Sequence, residues 1–111
     1  APVETKVVES APADVRQEKV TVVTGNQDGL KDFSVVCGSF GIKANAENLK
    51  SFLDSEGYNA IVVFNAEKAM YRVVVSTFAD KASAAQARDA FKKKYPNRED
   101  FQGSWLLYRI N

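Results

Sequence analysis

The sequence predicts an α+β fold, a ferredoxin-like sandwich made from a duplicated βαβ unit, because the chain repeats itself in two places. Phe33–Phe40 reads FSVVCGSF, and 38 residues later residues 71–78 read YRVVVSTF. Residues 57–65 and 103–111 share a second pattern, which begins with Gly and ends with Asn. Since βαβ crossovers are right-handed, both helices should lie on one face of a four-stranded antiparallel sheet. The predicted strand order along the sheet is second–third–first–fourth.

Hydrophobic periodicity places the elements of this unit. β-branched or aromatic runs predict strands over residues 33–37, 59–64, 70–76 and 105–110. Apolar residues at helical spacing predict a helix over residues 44–56, which Gly57 should end with a positive φ. A second helix should begin after Asp80, a favourable N-cap residue, and end before Pro96. The polar residues 95–102 are predicted to form a loop.

The first thirty residues differ in composition from the rest. They predict a flexible linker or tail, residues 1–30, followed by one folded domain, residues 31–111. Within the tail, residues 19–24 read KVTVVT, a β-branched and alternating run. This run predicts either a short extra strand at a sheet edge or extended linker, and the sequence leaves both open.

Composition excludes several classes of function. A length of 111 residues with 45% hydrophobic residues allows one domain with one core, and a net charge of +1 gives no nucleic-acid signature. No apolar run is long enough to cross a bilayer, so direct membrane insertion by this chain is not expected. The chain begins with Ala rather than Met, from which we expect a cleaved or engineered start.

The residue types also argue against catalysis. Histidine, the commonest general base and metal ligand, is missing, so no metal and no cofactor is expected. No pair of Asp or Glu residues has the spacing of the acid and base of a glycosidase. Cys37 has the parity of a buried strand residue, and we expect a buried, inert thiol. The sequence therefore predicts a binding module and not an enzyme.

Alternation along the strands assigns two faces to the sheet. Val35 and Cys37 share parity with Val73 and Val75, and these side chains should meet the helices. The opposite face, called here the far face, is expected to be open to solvent or ligand. It should carry the side chains of Ser34, Val36, Asn59, Ile61, Val63, Met70, Arg72, Val74, Trp105, Leu107 and Arg109. Such an apolar surface indicates a binding site.

The motifs Val35-Val-Cys-Gly-Ser-Phe40, Gly57-Tyr58, Tyr71-Arg-Val73 and the late Trp105 stand in an order and spacing that resemble the SPOR (sporulation-related repeat) domain. The resemblance covers residues 33–111. It implies an envelope module that binds peptidoglycan, favours glycan strands stripped of stem peptides, and gathers at bacterial division sites. It further implies a periplasmic or cell-envelope location in an exported or membrane-anchored parent protein, with division proteins as further partners.

The resemblance also implies the site. Ser39 matches the family serine, Arg72 matches the arginine of the Tyr-Arg-Val motif, and Trp105 fits the aromatic residue common on the last strand. Val36 stands where the family often has Gln, and Met70 where some members carry Trp. Neutral glycans need an apolar platform and a few fixed donors, which these side chains supply. The predicted glycan-binding residues are Ser34, Val36, Ser39, Met70, Arg72, Val74, Trp105, Leu107 and Arg109.

Two other classes of function are compatible with this architecture. An RNA-recognition module has the same architecture but displays aromatic residues on the far face, where this chain has Ser34, Val36, Arg72 and Val74. Nucleic acid is therefore not an expected partner. A protein–protein interaction or regulatory domain that uses the far face for contact with another protein remains the alternative.

Overall fold

The computed structural model describes residues 15–25 and 29–110, which form one six-stranded sheet and three helices. The strands are β1 Arg16–Lys19, β2 Thr21–Thr24, β3 Phe33–Phe40, β4 Ile61–Asn65, β5 Met70–Phe78 and β6 Trp105–Ile110. The helices are α1 Lys43–Ser55, α2 Lys81–Lys94 and α3 Glu99–Gln102.

The duplicated unit is arranged as the sequence predicts. Its four strands lie in the order β4–β5–β3–β6, and every neighbouring pair is antiparallel. β3 and β5, which carry the repeated pattern FSVVCGSF and YRVVVSTF, are therefore adjacent in the centre of the sheet. Helix residues such as Leu53, Ala84 and Phe91 share one core with Val35 and Val73, whereas the core on the far face contains no helix residue. The mixed α+β class and the one-sided helices are confirmed.

The prediction of a four-stranded sheet is wrong, because two more strands extend it to the order β1–β6–β3–β5–β4–β2. β1 pairs parallel with β6 at one edge, and β2 pairs antiparallel with β4 at the other. The strand predicted over residues 19–24 is thus present as β2, but Arg16–Lys19, predicted as flexible tail, is also a strand. Residues 1–14 lie outside the described residues, and the division into a tail and a domain stays a prediction.

A single residue separates the two edge strands. β1 ends at Lys19 and β2 begins at Thr21, so only Val20 lies between them. Two Cα–Cα steps span at most about 7.6 Å, which means that opposite edges of the sheet meet on one continuous piece of chain. The sheet is therefore curled into a nearly closed barrel with the helices outside. Residues 16–24, called here the cover segment, cross the far face.

Local signals in the sequence explain two helix ends. Gly57 follows α1 with φ +96, the left-handed conformation predicted for it. The Asp80 carboxylate accepts a hydrogen bond of 2.8 Å from the Ser83 backbone N–H at the start of α2, as an N-cap residue should. Helix α3 was not predicted, since residues 95–102 were expected to be a loop. It buries Phe101 completely against the helix-side core.

Candidate functional site

The far face is the interior of a second hydrophobic core. Val20 of the cover segment and Leu30 pack against a set of strand residues that alternation had assigned to this face: Val36, Ile61, Val63, Val74 and Leu107. All seven are buried. The face assignment is confirmed for these five strand residues, whereas Asn59 is exposed and precedes β4. The expectation that the face is open is wrong, because the chain's own cover segment removes it from solvent.

A charged pair lies within this core. The guanidinium of Arg72 on β5 donates two hydrogen bonds to the carboxylate of Glu18 on β1, from Nε to Oε1 at 3.0 Å and from Nη2 to Oε2 at 2.8 Å. The side chain of Arg72 is fully buried, and that of Glu18 is 3% exposed. This is the bidentate geometry in which arginine and carboxylate bind each other most strongly. The cover segment is thus attached to the central strands by a buried ion pair.

An irregularity in β3 brings Ser39 to the same place. Strict alternation would send residues 33, 35, 37 and 39 to the helix face, but the register against β5 shifts between Val36 and Gly38. After this bulge Ser39 lies opposite Arg72, and its Oγ accepts a hydrogen bond of 2.8 Å from Arg72 Nη1. A Cβ atom at Gly38 would lie 2.9 Å from Leu49 Cδ2, so the end of the Leu49 side chain would have to shift to accept it.

Trp105, at the start of β6, lies beside two guanidinium groups. The Cζ atom of Arg16 is 4.6 Å from the centroid of its ring, and that of Arg72 is 5.2 Å away. Both distances are in the range of cation–π contacts. Arg16 Nη1 also lies 3.6 Å from Glu18 Oε2. We call these five residues, Arg16, Glu18, Ser39, Arg72 and Trp105, the Arg72 cluster.

The structure brings some of the predicted site residues together and separates others. Ser39, Arg72 and Trp105 meet in the Arg72 cluster. Ser34 instead donates a hydrogen bond of 3.0 Å to Thr77 Oγ1, and Arg109 donates one of 3.3 Å to the Leu30 carbonyl. Six of the nine are buried, namely Ser34, Val36, Ser39, Arg72, Val74 and Leu107, while Met70, Trp105 and Arg109 are half-buried. Accessible side chains were expected at all nine positions.

Sequence reasoning missed Arg16 and Glu18. In the structure the even-numbered residues from 16 to 22 are at least half-buried, whereas Gln17, Lys19 and Thr21 are exposed. In the sequence, residues 16–19 read RQEK and are all polar, so no alternation of apolar and polar residues marks this strand. Glu18 escaped notice because a carboxylate in such a run is usually on the solvent side.

Three further features concern the described residues. Cys37 is buried and directs its thiol to the Val73 carbonyl at 3.7 Å, as expected for an inert cysteine. Across residues 15–25 and 29–110, no three Cys, Asp or Glu side chains gather into a group that could hold a metal ion. None of the helices in this part of the chain has the length and apolar character needed to cross a membrane.

Comparison with known families decides which family the chain belongs to. The model of the SPOR domain family matches residues 29–98, more than half of the chain, and this range contains β3, α1, β4, β5 and α2. The chain belongs to the SPOR domain family. Neither a curated protein nor a solved structure matches it.

SPOR domains are peptidoglycan-binding modules of bacterial envelope proteins, and the family is one of binding domains rather than enzymes. Within this SPOR domain, the matched range contains Ser39 and Arg72 but begins after the cover segment. β6 also lies outside the range, although the duplicated pattern of the sequence already requires it. β1 and β2 belong neither to the matched range nor to the duplicated unit.

Proposed function

We propose that this SPOR domain binds the glycan strands of peptidoglycan, prefers strands without stem peptides, and directs its parent protein to the division site of a bacterial cell. The family match over residues 29–98 carries this proposal. The site we propose is the far face around Ser39, Arg72 and Trp105.

The chemistry of this face suits a sugar chain. A glycan presents C–H surfaces together with hydroxyl and acetamido groups, and it is bound by a flat apolar surface with a few fixed donors. The Trp105 ring supplies a flat surface. The Arg72 guanidinium carries planar donors, which in this structure bind the Glu18 carboxylate and the Ser39 hydroxyl.

Sedimentation with purified sacculi tests the proposal. The protein is mixed with intact sacculi and with sacculi from which an amidase has removed the stem peptides, and the pelleted fraction is measured against protein concentration. We expect tighter binding to the stripped sacculi. Equal binding to both would contradict the preference, and no pelleting with either would contradict peptidoglycan binding altogether.

A matched pair of substitutions on β6 locates the site. Trp105→Ala should weaken binding about ten- to a hundredfold, the effect of losing an interface anchor of about 1–3 kcal/mol. Ile110→Ala is the control, because Ile110 is an exposed apolar residue of the same strand with the opposite parity. Equal binding by the two variants would place the site elsewhere.

Recruitment to the division site is a separate part of the proposal, and it is tested in cells. A fluorescent fusion should gather at the constriction of dividing cells, and Trp105→Ala should reduce that enrichment while Ile110→Ala should not. The alternative of a protein-interaction domain had relied on an exposed apolar far face. The cover segment buries that face, and it does so for a protein partner and for a glycan alike.

A further inference from the structure

The far face cannot be occupied by its own chain and by a glycan at the same time. The cover segment passes from the β6 edge to the β4 edge across this face, with only Val20 between its two strands. Val20 contacts the same core as Val36, Val74 and Leu107. A sugar chain that contacts these central strands must therefore displace the cover segment.

Glu18 has the chemistry of a substitute ligand. Its carboxylate takes two guanidinium donors of Arg72 and lies 3.6 Å from Arg16. Removing a stem peptide by cleavage of its amide bond leaves a free carboxylate on each muramic acid residue. A stripped glycan therefore offers the same anionic, bidentate acceptor that Glu18 now provides.

The way the cover segment is held allows it to be released. Each of its strands has four residues, and β2 contains a register irregularity at Val22–Thr24. A buried ion pair contributes less net stability than an apolar contact of equal volume, because both charges lose their hydration. The donors of Arg72 also remain available to a new carboxylate once Glu18 leaves.

We propose that residues 16–24 are an intramolecular competitor that keeps the far face closed, with the Glu18 carboxylate seated where a carboxylate of a stripped glycan would bind Arg72. This inference rests on the proposed function. The apparent affinity for glycan is then the intrinsic affinity multiplied by the fraction of molecules in which the cover is displaced. A cover closed in 99% of molecules would weaken binding about a hundredfold.

A reversible disulfide across the β1–β6 edge tests the proposal on the whole chain. Lys19 and Ile110 are partners in the parallel register, and both are exposed, so Lys19→Cys with Ile110→Cys leaves both cores intact. Neighbouring strands bring paired Cα atoms into the range that a disulfide spans. Oxidation locks the cover in place, and reduction releases it in the same sample. Cys37 is buried and stays out of the reaction.

The expected result is that the oxidised double variant binds amidase-treated sacculi at least tenfold more weakly than the same protein after reduction. The Lys19→Cys single variant, treated identically, should show no change. A melting curve of the oxidised protein verifies that it is folded. Glu18→Gln should have the opposite effect and strengthen binding to amidase-treated sacculi about tenfold. This corresponds to a shift of about 1.4 kcal/mol in the closing equilibrium of the cover segment toward the displaced state.

Two other outcomes separate this inference from the function beneath it. If the oxidised and reduced forms bind equally well, and as well as the unmodified chain, the cover does not compete and the inference is overturned while peptidoglycan binding stands. If neither the unmodified chain nor Glu18→Gln binds stripped sacculi, the proposed function fails and takes the inference with it.

Discussion

The buried ion pair between Arg72 and Glu18 gives the sharpest test of how the cover segment is held. We consider Arg72→Met, Glu18→Met and the variant that carries both substitutions. Methionine keeps much of the length of each side chain and removes its charge, so the changes test electrostatics more than volume.

The burial of both side chains determines how much stability each single substitution costs. Arg72 is fully buried and Glu18 is 3% exposed, so Glu18→Met removes the carboxylate partner of a buried guanidinium, and Arg72→Met leaves the Glu18 carboxylate with Arg16 at 3.6 Å. Breaking such a pair from one side costs about 3–5 kcal/mol, a large fraction of the roughly 5–15 kcal/mol that stabilises a small domain. Removing both charges avoids this penalty, and the double variant should be within about 2 kcal/mol of the parent.

Urea unfolding of the four proteins measures the coupling free energy between the two sites. We expect the double variant to be more stable than the sum of the single effects predicts, by at least about 2 kcal/mol, since residues in direct contact are not additive. Lys50→Met is the control for a solvent-side pair. Lys50 contacts Asp54 at 2.5 Å on α1, but Asp54 is 39% exposed, so this change should cost less than about 1 kcal/mol. Single effects of Arg72 and Glu18 that simply add would refute the docked arrangement of the cover segment.

Three further predictions concern the scaffold. Gly38→Ala should lower the free energy of unfolding by no more than about 1 kcal/mol in urea unfolding, because its Cβ would lie 2.9 Å from Leu49 Cδ2, the end of a side chain that can shift, whereas Gly103→Ala, which meets no atom closer than 4.0 Å, should have no effect. Ala69→Gly should stabilise the protein by up to about 1 kcal/mol in the same assay, since Ala69 has φ +53 in the β4–β5 turn; a loss of stability would contradict this reading. Hydrogen bonding at the start of α2 lowers the pKa of Asp80 below its usual 3.8, so this carboxylate stabilises the fold above pH 3.8 and ceases to do so as pH falls through its lowered pKa. Asp80→Ala should therefore reduce the melting temperature at pH 7, and the difference from the parent should shrink in strong acid.

The duplicated pattern was enough to predict the centre of the fold. Helix placement, strand order and the two faces follow from local periodicity and from the handedness of βαβ units, which act within a few tens of residues. The position of Trp105 on the far face followed from the same parity. These features depend on the local sequence of each helix or strand and not on which remote segment of the chain packs against it.

What the sequence did not predict depends on remote contacts. In the curled sheet Glu18 contacts Arg72, which is 54 residues away in the sequence. No local sequence pattern predicts an ion pair between residues so far apart. The bulge that places Ser39 on the far face could have been suspected from Gly38, since glycine within a strand often marks one. The apolar far face was correctly recognised as a surface that needs a partner, but the partner is the chain itself.

The Arg72–Glu18 pair also fixes how the cover segment lies on the sheet. In β1 only Glu18 carries a carboxylate, and a shift of one residue would turn Gln17 or Lys19 inward. Lys19 beside Arg72 would bury two like charges, so the wrong register is strongly disfavoured. An apolar residue in place of Glu18 would hold the segment without this discrimination and would remove the carboxylate that accepts from Nε and Nη2 of Arg72. The Glu18 carboxylate therefore specifies a single register for the closed cover segment. It does so by binding the Arg72 guanidinium, the same group that we propose binds the carboxylate of a stripped glycan.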